Sequence, residues 1–396
     1  AFDADEGIIS PGGIGYDINC GVRLIRTNVD ADDLDRRAIT QVLQKFYDKI
    51  PPGVGRSGGI SLSIKELKKL LTTGADWAIK RGYGSHEHLV NIEEGGVAEG
   101  ADPNQLSERA LSRGRDQLGT LGAGNHFLEV QKVTKVYDKK AAEVFGLEEG
   151  KLAVMIHTGS RGLGYQVCDD YLKVMQRAVQ KYKINISDRQ LACAPFKSDE
   201  GQRYFSAMKC AANYAWANRQ LITGRVIDIL EDLISENIQT GLVYDVSHNI
   251  GRVEEHSGSK LVVHRKGATR SFGPSRKELP AKFSTTGQPV IVPGTMGTAS
   301  YVMKATDRAL KESFGSTCHG AGREMSRKKA SGTVNSRELI DRLDAKGIVL
   351  KARSLRTAVE EAPEAYKDIY SVVDVCHHAG LSEKVARVEP MGVVKG

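Results

Sequence analysis

Apolar residues along this chain recur in two rhythms, one helical and one strand-like. Ser63 followed by Glu66 makes a capping box in front of Leu67, Leu70 and Leu71, whose spacing predicts an amphipathic helix running toward Trp77. A second, long helix is predicted over residues 204–234. Short apolar runs at residues 22–25, 152–156, 242–246, 261–263 and 289–292 read as strands, and several are followed at once by Ser, Thr, Gly or His. Polar residues at strand ends are a common way to build a site on a rigid frame. The two kinds of segment do not alternate regularly, which argues against a barrel or doubly wound sheet and for an α+β fold. No repeat, low-complexity tract or Pro-rich linker divides residues 1–396, so one large intertwined domain is expected.

Composition narrows the class. With 40% hydrophobic and 27% charged residues, 42 glycines and 11 prolines in 396 positions, the chain is globular, and collagen, coiled coil and wholesale disorder are excluded. No run approaches the roughly 18 apolar residues of a membrane span, and no basic-then-apolar signal opens the chain, so no membrane partner and a cytoplasmic location are expected. The six cysteines (Cys20, Cys168, Cys193, Cys210, Cys318, Cys376) are too sparse for a disulfide framework and read as core or ligand residues. Lys and Arg number 56 against 49 Asp and Glu, a net charge of +7 that permits a polyanionic partner without requiring one. The basic residues cluster at His264-Arg265-Lys266, between Arg323 and Lys329, and at Lys351, Arg353 and Arg356, the last reading as solvated surface.

Candidate chemistry begins at Asp17-Ile18-Asn19-Cys20-Gly21. A carboxylate and a thiol three residues apart can face one metal or a close pair, although alone they equally describe a buried Cys beside a turn-forming Asp. His126, His157 and His248 each adjoin a short apolar run that can aim a neutral imidazole inward. Together with Asp17 and Cys20 they form a set of five ligands for two metals, with a thiolate able to bridge the pair. Mixed S, N and O donors suit Mn²⁺, Zn²⁺, Fe²⁺ or Co²⁺ better than Mg²⁺ or Ca²⁺. In Cys318-His319-Gly320-Ala321-Gly322-Arg323 a histidine precedes small residues that admit a bulky ligand, and Arg323 and Arg327 are expected to share one helix face toward phosphate. Arg323 is also expected to disfavour the His319 imidazolium. His86, His88 and His256 read as surface residues, and His377 and His378 have no comparable setting. Gly53-Val54-Gly55-Arg56-Ser57-Gly58 fits a dinucleotide fingerprint in letters but follows Pro51-Pro52 rather than a strand. Pro293-Gly294-Thr295-Met296-Gly297-Thr298 offers backbone NH groups and hydroxyls suited to phosphate, or is an ordinary turn.

Taken in order, Asp17-x-x-Cys20, Gly124-Asn125-His126, His157-Thr158-Gly159-Ser160-Arg161, Ser247-His248-Asn249, His264-Arg265-Lys266-Gly267, His319-Gly320-Ala321-Gly322-Arg323 and the terminal Lys395-Gly396 resemble the RtcB-type RNA ligases, the GTP- and manganese-dependent tRNA-splicing ligases. The resemblance runs from about Gly7 to Gly396. It implies joining of RNA ending in a 2′,3′-cyclic phosphate or 3′-phosphate to RNA beginning with a 5′-hydroxyl. His319 matches the histidine that takes GMP from GTP, and Asp17, Cys20, His126, His157 and His248 match the ligands of two Mn²⁺ ions, Cys20 being shared. Asn125, Asn249, Thr295, Ser300 and Ala321 match positions around the nucleotide; Glu129, Tyr366 and Lys395 match its guanine pocket. Arg161, Lys266, Arg323 and Arg327 are the residues expected to meet RNA phosphates. Family members are single α+β domains, often assisted by the small protein archease. They normally carry a further N-terminal segment with an additional acidic residue near the site, so residues 1–396 are expected to be the ligase domain without it. Two other readings stand beside this one. A two-metal phosphoesterase would use the same five ligands without His319 or a guanine pocket, and a non-catalytic RNA-binding subunit would keep its RNA binding after loss of Cys20.

Overall fold

The computed structural model describes residues Ala1–Gly396. Its main strands and helices are, in chain order, β1 (Gly21–Asp30), α1 (Arg36–Lys49), α2 (Ile64–Thr73), β2 (Phe127–Val136), β3 (Lys151–Thr158), α3 (Arg161–Lys181), α4 (Asp199–Leu233), β4 (Thr240–Ser247), β5 (Asn249–His256), β6 (Ser259–Lys266), β7 (Pro289–Val292), β8 (Ser300–Ala305), β9 (Val349–Ala352) and β10 (Ser382–Lys395), joined by further helices, among them Ser336–Ala345 and Ile369–His378, and by short strands and turns. The main sheet runs β7-β8-β10-β2-β3-β1-β4, antiparallel throughout, with β9 added parallel to β10. Mixed helix and sheet without βαβ alternation is the α+β architecture expected from the sequence.

β3, β4 and β7 read as near-continuous apolar runs because both faces of the sheet are covered. On β2, Phe127 and Val133 enter one core with Val22, Met155 and Val246. Leu128 and Val130 enter the opposite core, with Ile39, Leu43 and Phe46 of α1 and Ile222, Val226 and Leu230 of α4. Period-2 alternation places Glu129 and Gln131 on the face of Phe127, and it does the same for His157 beside Met155. That face of the sheet carries the site.

Helix α4 is capped by Ser198, whose side chain accepts from Gly201 N. It is buried on all sides from Cys210 to Gly224, including Asn213, Asn218, Arg219, Gln220 and Thr223. Such a helix must satisfy its polar side chains inside the protein. Asn218 does so by accepting from Gly119 N (2.7 Å). The Ser63/Glu66 capping box forms, but α2 stops at Gly74 and a separate short helix, Ala75–Ile79, carries Trp77. The predicted 204–234 helix begins earlier, at Asp199. Two histidines expected at the surface are buried: His88 bonds Gln220 Nε2 (3.0 Å), and His256 pairs with Glu254 (3.0 Å). No helix is long and apolar enough to cross a membrane.

Candidate active site

The five donors predicted from sequence converge. Asp17 and Cys20 lie in the turn entering β1, His126 just before β2, His157 near the end of β3 and His248 between β4 and β5. Their ligand atoms fall into two sets, Asp17/Cys20/His126 and Cys20/His157/His248, each within 4.8 Å, with Cys20 common to both. Cys20 Sγ is 3.3 Å from Nε2 of both His126 and His157, His157 Nε2 is 3.3 Å from His248 Nε2, and Asp17 Oδ2 is 2.8 Å from His126 Nε2. Donors held roughly 2.0–2.3 Å from a tetrahedral ion stand about 3.3–3.7 Å apart, so most of this spacing suits a shared cation.

The electrostatics point the same way. Burial pushes His157 and His248 well below the ordinary imidazole range, so both present lone pairs. Burial and the neighbouring Asp17 push the Cys20 thiol up, so its ionisation calls for a cation. His126 Nδ1 lies 3.0 Å from Leu121 O, and because a carbonyl only accepts, Nδ1 carries the proton and Nε2 faces the cluster. Burial opposes ionisation of Asp17, but His126 and Arg161 outweigh it and hold the carboxyl below its usual range.

The turn bearing Asp17 and Cys20 is fixed from beneath. Asn19 takes φ 52°, a left-handed conformation Asn tolerates. Its backbone and side chain are held by Arg219, Ser247 and Asn249. Arg219 and Arg23 share the buried carboxylate of Asp245, at 2.8 and 2.7 Å. A Cβ at Gly21 would stand 2.5 Å from Val246 O and 2.8 Å from Arg219 Cζ, so only glycine lets the turn approach this network. A Cβ at Gly159 would stand 2.5 Å from Asp17 Oδ1, where Ser160 N donates to the carboxylate at 3.0 Å.

Beside the cluster opens a cavity lined by Asn125, His157, Thr295, His319, Ala321, Arg323, Arg327, Glu361, Tyr366 and Lys395, among others. The His319 ring stacks on His248 at 4.3 Å between centroids and 29° between planes. Burial alone brings His319 down to about 4, so the ring is neutral; the expected contribution of Arg323 is not what lowers it. Its Nδ1 is buried without a partner. Lys395 has no ion pair, sits 5.6 Å over the Phe127 ring, and is lowered to about 8 by burial against the opposing pull of Glu361 and Glu129.

Several expected roles take a different form. Arg323 and Arg327 do not share a helix face: Arg323 bridges to Tyr366 in an extended segment, and Arg327 opens the helix Arg327–Thr333. They meet instead through Glu361, which accepts from Arg323 Nη1 at 3.0 Å, from Arg327 Nε at 2.8 Å and from the Tyr366 hydroxyl. Arg161 turns inward, its Nε donating to Thr120 Oγ1 at 3.1 Å. Within His264-Arg265-Lys266 only Lys266 is exposed, because Arg265 is buried on Glu254.

Glu129, Asn249 and Ser300 do not line the cavity. Ser300 Oγ accepts from Gly294 N (2.9 Å), shaping the 293–298 loop, and Asn249 links Asp17 O to Gly267 N. Glu129 keeps one buried oxygen, Oε1, without a partner, and burial raises its carboxyl to about 8. At neutral pH it is therefore largely protonated in this state, and accepting two guanine NH groups requires its ionisation. Glu361, Arg219 and Asp245 were not singled out from sequence; for the last, a carboxylate inside the apolar run 242–246 was the available signal.

Residues 1–396 match the family model described as tRNA-splicing ligase RtcB. Curated proteins of that name from Thermococcus kodakarensis and Archaeoglobus fulgidus are each 51% identical to the chain, over 100% of it and 83% of their own lengths. The one from Methanococcus maripaludis is 49% identical over 100% of the chain and 84% of its own length.

Proposed function

Since the chain belongs to the tRNA-splicing ligase RtcB family, we propose that it joins RNA 2′,3′-cyclic phosphate or 3′-phosphate ends to 5′-hydroxyl ends through a guanylylated histidine. The observation that carries this reading is the neutral His319 ring, stacked on the metal-ligand cluster and facing a cavity lined by cations.

In the proposed sequence, a ring nitrogen of His319 attacks the α-phosphorus of GTP, forming an N–P bond as the bond to pyrophosphate breaks. A cyclic RNA end is first opened by water to a 3′-phosphate. An oxygen of that phosphate then attacks the histidine-bound phosphorus, restoring free His319 and leaving GMP on the RNA. The 5′-hydroxyl attacks the RNA phosphorus and GMP departs. Lys395, Arg323 and Arg327 face the phosphates and the base. Ala321 and Gly320 leave room for them, and Thr295 and Asn125 line the same cavity. Asp17, Cys20, His126, His157 and His248 would hold two divalent ions, Mn²⁺ by family resemblance, which supply phosphate charge neutralisation and leaving-group orientation when bound. A two-metal phosphoesterase would need the five donors but neither His319 nor the adjoining cavity. Archease would be an accessory partner.

The test uses GTP labelled at its α-phosphate with Mn²⁺. The parent protein should become labelled and should join the two RNA ends. His319→Ala should lose the label, keep its metal, and still seal RNA whose 3′ end already carries GMP. Mapping of the GMP to another residue of the parent would overturn the assignment.

A further inference from the structure

Tyr16 and Tyr165 stand out among the exposed side chains. They are 39% and 50% exposed, yet their rings stack on each other at 4.7 Å and 27°. Neither hydroxyl has a hydrogen-bond partner within the protein, so the pair does little to hold the fold. Its position is not arbitrary. Tyr16 immediately precedes Asp17, and Tyr165 lies one turn into α3, whose entry residue Ser160 holds the Asp17 carboxylate. The Arg113 guanidinium lies 5.6 Å from the Tyr165 ring, bonds Gln166 Oε1 at 3.1 Å and pairs with no carboxylate. Tyr165 thus has both Arg113 and Tyr16 against its ring, whereas Tyr16 has no ring partner other than Tyr165 and no cation over its ring.

Resting on the reading of RNA as substrate, we propose that Tyr16, supported by Tyr165 and Arg113, is a stacking shelf for one unpaired base of the RNA strand whose end reaches the metal-ligand cluster. Every base has a π face, so a tyrosine shelf binds single strands without demanding a sequence, as a ligase acting on varied ends requires. Arg113 adds an unpaired cation for a neighbouring phosphate.

The experiment uses the full chain with Mn²⁺ and two oligoribonucleotides, one ending in 3′-phosphate and one beginning with 5′-hydroxyl. Each carries 2-aminopurine at the terminal position in turn. Stacking on the shelf quenches the fluorescence of one of them on binding, and the arm that responds identifies the strand. Tyr16→Leu should abolish that quenching and raise the KM for that RNA by about tenfold, the size of one lost base–aromatic stack, whereas Tyr16→Phe and Tyr16→Trp should retain both. Tyr165→Ala, one residue removed from any proposed ligand contact, should give a smaller change in the same direction. Metal content and guanylylation without RNA are measured in parallel. Parental KM and quenching in both Tyr16→Leu and Tyr165→Ala would overturn the shelf. So would a Tyr16→Leu defect that follows lost metal while Tyr165→Ala stays silent. Quenching needs no joining, so a parent protein that binds RNA but fails to join it would count against the ligase reading and leave the shelf decided on its own data.

Discussion

Replacing Arg219 with Met should loosen the metal-ligand cluster without touching a ligand. Arg219 uses all five of its N–H donors. Nε and Nη2 grip Asp245 at 2.8 Å each, Nη1 donates to Asn19 O (2.8 Å) and Thr158 O (3.0 Å), and Nη2 also reaches Asn19 Oδ1 (3.0 Å). Met keeps the unbranched apolar stem of the side chain and removes every donor. Two buried carbonyls then lose their bonds to it, and Asp245 retains Arg23 as its one charged partner. Removing one partner of a buried ion pair costs about 3–5 kcal/mol. Unfolding entropy of roughly 2.1 cal/mol/K per residue gives about 0.8 kcal/mol/K for 396 residues. The expected fall in Tm is therefore about 4–6 °C. The functional signature is separate from this. Asn19 precedes Cys20 and Thr158 follows His157, so both halves of the cluster lose an anchor and affinity for a divalent metal should drop by about 10–100-fold. Arg219→Lys, which keeps the charge with three donors, should fall between. Calorimetric melting and equilibrium metal titration read the two effects. An Arg219→Met protein with parental Tm and parental metal affinity would refute the account.

Cys20→Ala should lose both ions, or bind one weakly, because the thiolate is common to both donor sets; elemental analysis checks this, and full metal content would exclude the shared role. Lys266 is exposed and bonds only Gly12 O, so Lys266→Ala should lower the logarithmic salt slope of RNA binding by about 0.7. Arg323→Ala should lower it by less, since Arg323 already shares its charge with Glu361 in the free protein; equal slopes in the parent and both variants would remove these residues from RNA binding. His88 is lowered to about 4 by burial, so it stays neutral in the folded chain where the unfolded chain already binds a proton. Its contribution is full above about pH 6.5 and is lost as pH falls toward 4. His88→Gln should flatten urea-measured stability in that window by up to about 1.4 kcal/mol per pH unit, and an unchanged slope would contradict the burial argument.

Elements with dense apolar runs were legible in the sequence, as 22–25, 152–156, 242–246 and 289–292 all lie within observed strands. β2, β5 and β10 were less legible because polar residues interrupt them. Glu129, Gln131, Arg252 and Glu254 are charged or amide groups buried by tertiary packing, which a hydropathy pattern does not anticipate. The donors Asp17, Cys20, His126, His157 and His248 were legible because their chemistry is rare and each sits beside a glycine or a strand end. Glu361 was not, since a carboxylate in Val359-Glu360-Glu361 looks like solvated surface until the fold brings Arg323, Arg327 and Tyr366 to it. Arg323 and Arg327 show the limit of reading a spacing of four as one helix face. The chain between them changes conformation, and the shared partner lies 34 or more residues away.

The pairing at Glu361 changes how the cavity meets a polyanion. Two of its three cations are already engaged: Arg323 and Arg327 divide one buried carboxylate between them, which leaves the Arg323, Arg327 and Glu361 trio with a net charge of +1. A phosphate arriving there exchanges partners with Glu361 rather than gaining two fresh ion pairs, so the net attraction is smaller than the count of guanidiniums suggests. Lys395 differs. It is buried, has no carboxylate in contact, and is brought down to about 8 by that burial. A negative ligand beside it relieves the desolvation and raises the ammonium back toward its ordinary range, and that gain belongs to the bound state alone. Glu129 responds in the opposite sense, since negative charge nearby keeps its carboxyl protonated, whereas an NH donor reaching its unpartnered Oε1 would favour its ionisation. In the proposed GTP complex, base and phosphates would therefore act on Glu129 with opposite signs, and a nucleotide whose base offers no NH pair would leave it neutral.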